Sequence, residues 1–147
     1  MPLRSYRDLQ VWQDAMDLAD MSYNVTDHFP SAERFGLTAQ IRDAASSIPA
    51  NIAEGYGRRH RGDYVRHLSI ANGSLAELET HLLLSLRRRY IDEDRLDPLW
   101  DLAQRVGKML RSLIDALERE IERSPKTNRI IRTSYRKQTP DPRPQTP

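Results

Sequence analysis

Apolar residues recur every three or four positions through four long stretches of this chain, and no stretch alternates apolar and polar residues as a strand would. That periodicity restricts the chain to an all-α fold. The first stretch, Asp8–His28, carries two adjacent stripes. One is Leu9, Trp12, Met16, Ala19 and Tyr23; the other is Val11, Ala15, Leu18 and Val25. Together they cover about 200° of the helix, whereas a helix on the surface of a monomer needs only about 100°. The second stretch, Leu37–Tyr56, has a core stripe of Leu37, Ile41, Ala44, Ala45, Ile48 and Ile52. Small residues (Ala39, Ser46, Ala50, Ala53) lie nearly opposite and would admit another backbone. Pro49 inside this stretch predicts a kink, because it removes one hydrogen bond and crowds the carbonyl of Ala45. Gly55 and Gly57 are expected to end it.

The third stretch, Asp63–Tyr90, steps through Tyr64, Leu68, Ala71, Leu75, Leu78 and Leu82 in a heptad-like seam. Asn72 and Glu79 fall in the same arc and would need polar partners if buried; Arg42 or Asn51 on the second helix could serve. The fourth, Asp97–Glu122, has Pro98 in its expected first turn. Short connections between helices of about 30–40 Å predict an antiparallel, up-down-up-down four-helix bundle over residues 1–122. The remainder, 123–147, is basic and proline-rich and is expected to be disordered.

Charge divides along the same line. Residues 123–147 hold seven Lys and Arg against one acid, a net of +6 in a chain whose total is +2, which leaves −4 for residues 1–122. A basic tail on an acidic body suits an anionic partner. The chain has no Cys, which excludes disulfides and thiolate zinc sites and suits a reducing, cytoplasmic setting. No long apolar run suggests a signal peptide or a membrane span.

Four short motifs add a family resemblance. They are Tyr6-Arg7-Asp8-Leu9-Gln10-Val11-Trp12, Glu33-Arg34-Phe35-Gly36-Leu37-Thr38, Ser47-Ile48-Pro49-Ala50-Asn51-Ile52-Ala53-Glu54-Gly55-Tyr56-Gly57-Arg58, and Gly73-Ser74-Leu75-Ala76-Glu77-Leu78-Glu79-Thr80. In this order they resemble the 23S rRNA intervening-sequence protein family, over about residues 6–120. That family includes the accessory variability determinants of diversity-generating retroelements. The resemblance implies a bundle that assembles as a homo-oligomeric ring, commonly a pentamer, with no known enzyme activity and no cofactor. It also implies nucleic acid, RNA or DNA, and a reverse transcriptase as partners of some members.

Catalytic patterns are weak. Glu-x-x-His, the di-iron signature of bundles, is missing. Glu77 and His81 are expected to form a surface pair. Gly55-Tyr56-Gly57 lacks the rest of a phosphate loop. Arg61 and His67 match the loose pattern of a class of helical ribonucleases, but chance alone supplies more than one such match in a chain this rich in Arg. Arg87, Arg88 and Arg89 complement the dipole at the end of the third helix. The leading expectation is a non-enzymatic oligomeric scaffold that binds nucleic acid or a nucleic-acid-processing partner. The alternative is a protein-only interaction module, and a ribonuclease comes third. In the predicted topology Arg4 and Arg7, then Arg58, Arg59 and Arg61, with Arg66 one turn on, fall at one end of the bundle. These six are the candidate nucleic-acid-binding residues.

Overall fold

The structure, a computed structural model, describes residues 3–124. Four helices make up the bundle: α1 (Gln10–Thr26), α2 (Leu37–Tyr56), α3 (Arg61–Arg87) and α4 (Glu93–Arg123). Short 3-10 turns at Tyr6–Asp8 and Ser31–Glu33 precede α1 and α2. The described residues contain no strand. Helix α1 packs against α2 and α4, and α3 packs against the same two, so the four close around one core. Ile48, Ile52, Leu68, Leu78 and Leu110 are fully buried in it. Residues 125–147, most of the expected tail, lie outside the described residues.

Contacts fix the relative direction of neighbouring helices. Between α2 and α3, Ser47 meets Ser74 and Asn51 meets His67. Between α3 and α4, Arg61 meets Glu120 and Glu79 meets Gln104. In each pair one number rises as the other falls, so these neighbours run in opposite directions.

Several boundaries differ from the sequence expectation, each for a local reason. Helix α1 begins at Gln10 because Leu9 is extended, at φ −72° and ψ 124°. The residues before it form a separate turn, closed by Ser5 and Asp8 in a reciprocal capping box. Helix α4 begins at Glu93, since the Asp92 side chain caps it by accepting from the Arg95 N–H at 2.9 Å. Pro98 therefore stands in the second turn and not the first. Pro98 and Asp94, the residue whose carbonyl it leaves unbonded, are both exposed, so water can take that acceptor. Helix α3 begins two residues early, at Arg61, and ends at Arg87. Arg89 turns left-handed there, at φ 62°, and the Tyr90 N–H donates to the Ser85 carbonyl at 2.9 Å. Helix α2 spans Leu37–Tyr56 without interruption, Pro49 included.

The two stripes of α1 part company. Val11, Ala15 and Leu18 enter the core, joined by the polar Asp14, Ser22 and Thr26. Of the other stripe, Ala19 is buried and Leu9 and Trp12 are half-buried against the core, while Met16 and Tyr23 stay 45% and 42% exposed beside α2. The buried polar groups are satisfied: Ser22 donates to the Leu18 carbonyl, and Thr26 to the Ser22 carbonyl. Asp14 accepts two bonds from the Arg105 guanidinium of α4, both 2.9 Å, and one from Gln10. Arg42 goes to Thr26 and Asp27 at the end of α1 and stacks on Tyr23. It is thus not the partner of Asn72 or Glu79. Both of those are half-buried, and Glu79 accepts from Gln104 at 3.3 Å.

Candidate nucleic-acid interface

Helices α2 and α3 approach closely where α2 ends, and Gly55 permits it. A Cβ on Gly55 would sit 2.8 Å from the Cβ of His67 and 2.9 Å from Cδ2 of Tyr64. Gly55 is therefore a buried packing residue; Gly57 is the cap, its N–H donating to the Ala53 carbonyl at 3.3 Å. Tyr56 and Tyr64 meet edge to face across this junction, with centroids 6.1 Å apart. Burial, and secondarily Tyr56, pushes the Tyr64 phenol above its ordinary value, so it stays neutral at physiological pH.

An open cleft of about 360 Å³ lies over the junction, lined by Tyr56, Arg58, Arg59, Arg61 and Tyr64. Two of its three guanidiniums are already engaged. Arg58 donates to Glu54 at 2.7 Å, one turn back on α2, and Arg61 lies 3.4 Å from Glu120 of α4. The Arg58 hydrogen bond, with help from His67, holds the Glu54 carboxyl below its ordinary value. Arg59 and Arg66 are exposed and have no ion pair among the described residues. Arg66 is close enough to Glu54 to favour its charged form. The 3-10 turn that carries Arg7 packs against α2, where Tyr6 shares a groove with Ala50 and Ala53. Arg4 and Arg7 are exposed on that flank and do not line the cleft.

Arg58, Arg59 and Arg61 thus come together and Arg66 lies near the same Glu54, whereas Arg4 and Arg7 stand apart from the cleft, on or next to the 3-10 turn that packs against α2. Arg61 and His67, the ribonuclease pair, do not converge. The Arg61 side chain reaches Glu120, while His67 is 5% exposed beneath α2. His81 and Glu77 do pair, at 3.6 Å, with the imidazole more buried than a surface pair implies.

Sequence reading misses the polar cluster under the cleft. Asn51 Nδ2 donates to the Ser47 carbonyl at 2.8 Å, which turns its Oδ1 toward His67 Nδ1, 3.2 Å away. A signal is present in the chain: His67 lies three residues after Tyr64 and four before Ala71, on the apolar face of α3. Also missed is the extent of an apolar groove of about 500 Å³ between α1 and α2, lined by Trp12, Met16, Tyr23, Pro49, Ala50 and their neighbours.

Fold and site together describe a four-helix bundle with an arginine-rich cleft at one end and an uncovered apolar groove on one side. Residues 7–112 match the family of the 23S rRNA-intervening sequence protein, and the chain belongs to that family. Among solved structures it is similar to a protein of unknown function from the S23 ribosomal protein family of Bacteroides thetaiotaomicron VPI-5482. The two share 26% identity with a TM-score of 0.67, over 71% of this chain and 95% of the other. None of the curated proteins compared matches the chain. No helix among the described residues is long and apolar enough to cross a membrane.

Proposed function

We propose that the protein is a non-enzymatic, homo-oligomeric scaffold that binds nucleic acid through the arginine-rich end of the bundle. The observation that carries this reading is the cleft lined by Arg58, Arg59 and Arg61 together with Tyr56 and Tyr64, with Arg66 exposed on the adjoining turn of α3. Guanidiniums supply phosphate contacts, and the half-buried Tyr56 ring, backed by the buried Tyr64, supplies a stacking surface for an unpaired base, the combination that single-strand binders use. The family's description names 23S rRNA, and the Bacteroides protein's family is named as ribosomal. Both favour RNA as the nucleic acid.

Assembly has separate support. The α1–α2 groove leaves Met16 and Tyr23 exposed beside the small residues Ala50 and Ala53. A second copy of the chain covers such a face economically, and the family resemblance points to five. A partner protein could occupy the same groove, which keeps the protein-only module as the second reading. The ribonuclease reading fares worse, because its histidine would have to reach RNA from beneath α2.

Purification at about 50 mM salt tests the proposal. Nucleic acid that co-purifies, raises the 260/280 nm absorbance ratio and leaves in a salt wash is the expected result. A gel-shift titration should then show Arg59→Gln/Arg66→Gln binding single-stranded RNA more weakly than the parent. A parent that neither carries nor binds RNA or DNA overturns the reading.

A further inference from the structure

His67 sits directly beneath the cleft, in a position fixed by its neighbours. Because Asn51 must present an amide N–H to the Ser47 carbonyl, its Oδ1 faces the imidazole, and Nδ1 of His67 carries the proton of that bond. Neutral His67 then has a lone pair on Nε2. That atom is buried and has no hydrogen-bond partner among the described residues. It lies 3.9 Å from Oε1 of Glu54, the same oxygen that accepts from Arg58 at 2.7 Å. A lone pair facing a carboxylate is repulsive; an N–H there would be attractive. A buried polar atom without a partner is costly enough to need a reason.

Proton uptake supplies one. A protonated Nε2 becomes a donor aimed at Glu54. It competes with Arg58 for one carboxylate from a better position, since the His67 side chain is 6% exposed and that of Arg58 47%. The Glu54 carboxylate is 53% exposed in both contacts, so the difference lies in the partner: water and salt screen the buried imidazole less than the exposed guanidinium. Charged and titratable groups beside the imidazole include Glu54 of α2, Arg58 in the turn that follows it and Tyr64 of α3, with Arg66 of α3 acting on the same carboxylate. Imidazole is the side chain whose charge normally changes between pH 5 and 8.

We propose that the cleft is a phosphate subsite for single-stranded nucleic acid, gated by a proton: when His67 is protonated it takes over Glu54, and Arg58 is released to bind a phosphodiester. The proposal rests on the nucleic-acid reading of the cleft and adds its regulation. No bond to carbon, oxygen or phosphorus forms or breaks; one proton enters at Nε2, and one ionic contact moves from guanidinium to imidazolium. By linkage, phosphate bound to Arg58 favours the protonated imidazole in turn. Affinity therefore rises as pH falls.

The test is fluorescence anisotropy with 5′-labelled oligouridylate, whose phosphodiesters keep their charge from pH 5.5 to 8. His60 is exposed in the same loop and is replaced by Gln in every variant, including the reference. The reference should bind roughly five-fold more tightly at pH 5.5 than at pH 8, the effect of about one added cationic contact. Glu54→Gln, which frees Arg58 at every pH, should bind at pH 8 as the reference does at pH 5.5, with a flat profile. His67→Gln should be flat at the weaker level. NMR of the His67 ring nitrogens and the Arg58 Nε–H reports the gate without RNA: the Arg58 signal should move with the His67 titration. A pH-independent reference, or an Arg58 signal indifferent to His67, overturns the proposal. Failure to bind RNA at any pH, with the two NMR signals still coupled, overturns the nucleic-acid reading and supports the gate.

Discussion

Alanine substitution at three helical glycines should shift stability in three different ways, because the space around each differs. Replacing a mid-helix Gly by Ala stabilises by about 0.5–1 kcal/mol where the Cβ meets nothing. Gly73 on α3 is such a site, where an added methyl meets nothing within 4 Å beyond its chain neighbours and its own helix backbone. At Gly55 the same methyl would lie 2.8 Å from the Cβ of His67, 2.9 Å from the Tyr64 ring and 3.3 Å from the Tyr64 carbonyl. A Cβ and a backbone carbonyl cannot swing away, so α2 and α3 must separate. Overpacking of this kind costs about 1–3 kcal/mol. Set against the propensity gain, Gly55→Ala should lose about 1–2 kcal/mol. Gly107 is intermediate: its nearest neighbours are the flexible ends of Leu75 and Arg111, at 3.2 and 3.3 Å, so Gly107→Ala should be near neutral. In thermal unfolding, at roughly 3–5 °C per kcal/mol for a domain of this size, Gly73→Ala should melt a few degrees higher than the parent and Gly55→Ala about 5 °C lower. Equal or greater stability of Gly55→Ala relative to Gly73→Ala would refute the close-approach argument.

Three further outcomes follow from particular contacts. Arg105→Ala should cost about 2–3 kcal/mol in urea unfolding, because it strands the buried Asp14 carboxylate with only Gln10; the double variant Asp14→Leu/Arg105→Leu should cost less than Arg105→Ala alone, and a simple sum of effects would count against the pair. Ala50→Leu projects into the α1–α2 groove and should change the oligomer size seen by light scattering, whereas an unchanged size would place the subunit contact elsewhere. Because the Tyr64 phenol is held above its ordinary value of 10.0 in the folded state, stability should be intact below pH 10 and fall above it, as the unfolded chain gives up the proton first; Tyr64→Phe should remove that part of the alkaline loss, and an unaltered profile would contradict the assignment.

Much of the architecture can be read from periodicity, and the gaps have physical causes. Helix α2 matches its expected limits because Leu37, Ile41, Ile48 and Ile52 lie on one stripe and Gly57 follows it. The start of α4 is displaced from expectation because Pro98 looks like a first-turn proline, whereas a side chain, Asp92, caps the helix six residues earlier. The two stripes of α1 are visible, but periodicity alone does not say that Met16 and Tyr23 stay exposed while Val11, Ala15 and Leu18 are buried. The core instead takes Asp14, Ser22 and Thr26, which periodicity counts as surface and which hydrogen bonds make tolerable. At the candidate site, the clustering of Arg58, Arg59 and Arg61 follows from chain order. Their pairing with Glu54 and Glu120 does not, since the first depends on side-chain reach and the second on the register of α3 against α4. In the sequence His67 stands out as half of a chance motif and by its place on the apolar face of α3, but its tautomer depends on Asn51, sixteen residues away.

The central claim concerns phosphate binding at the arginine-rich end, and the salt dependence of RNA affinity tests it most directly. Arg4, Arg7, Arg59 and Arg66 are exposed and have no ion pair among the described residues. If those four each neutralise one phosphate of a single strand, log K should fall against log salt with a slope of about −3. Arg59→Gln/Arg66→Gln should bring the slope to about −1.5 and leave the melting temperature unchanged. A parent slope near zero, or a double variant with the parent's slope, would contradict the account.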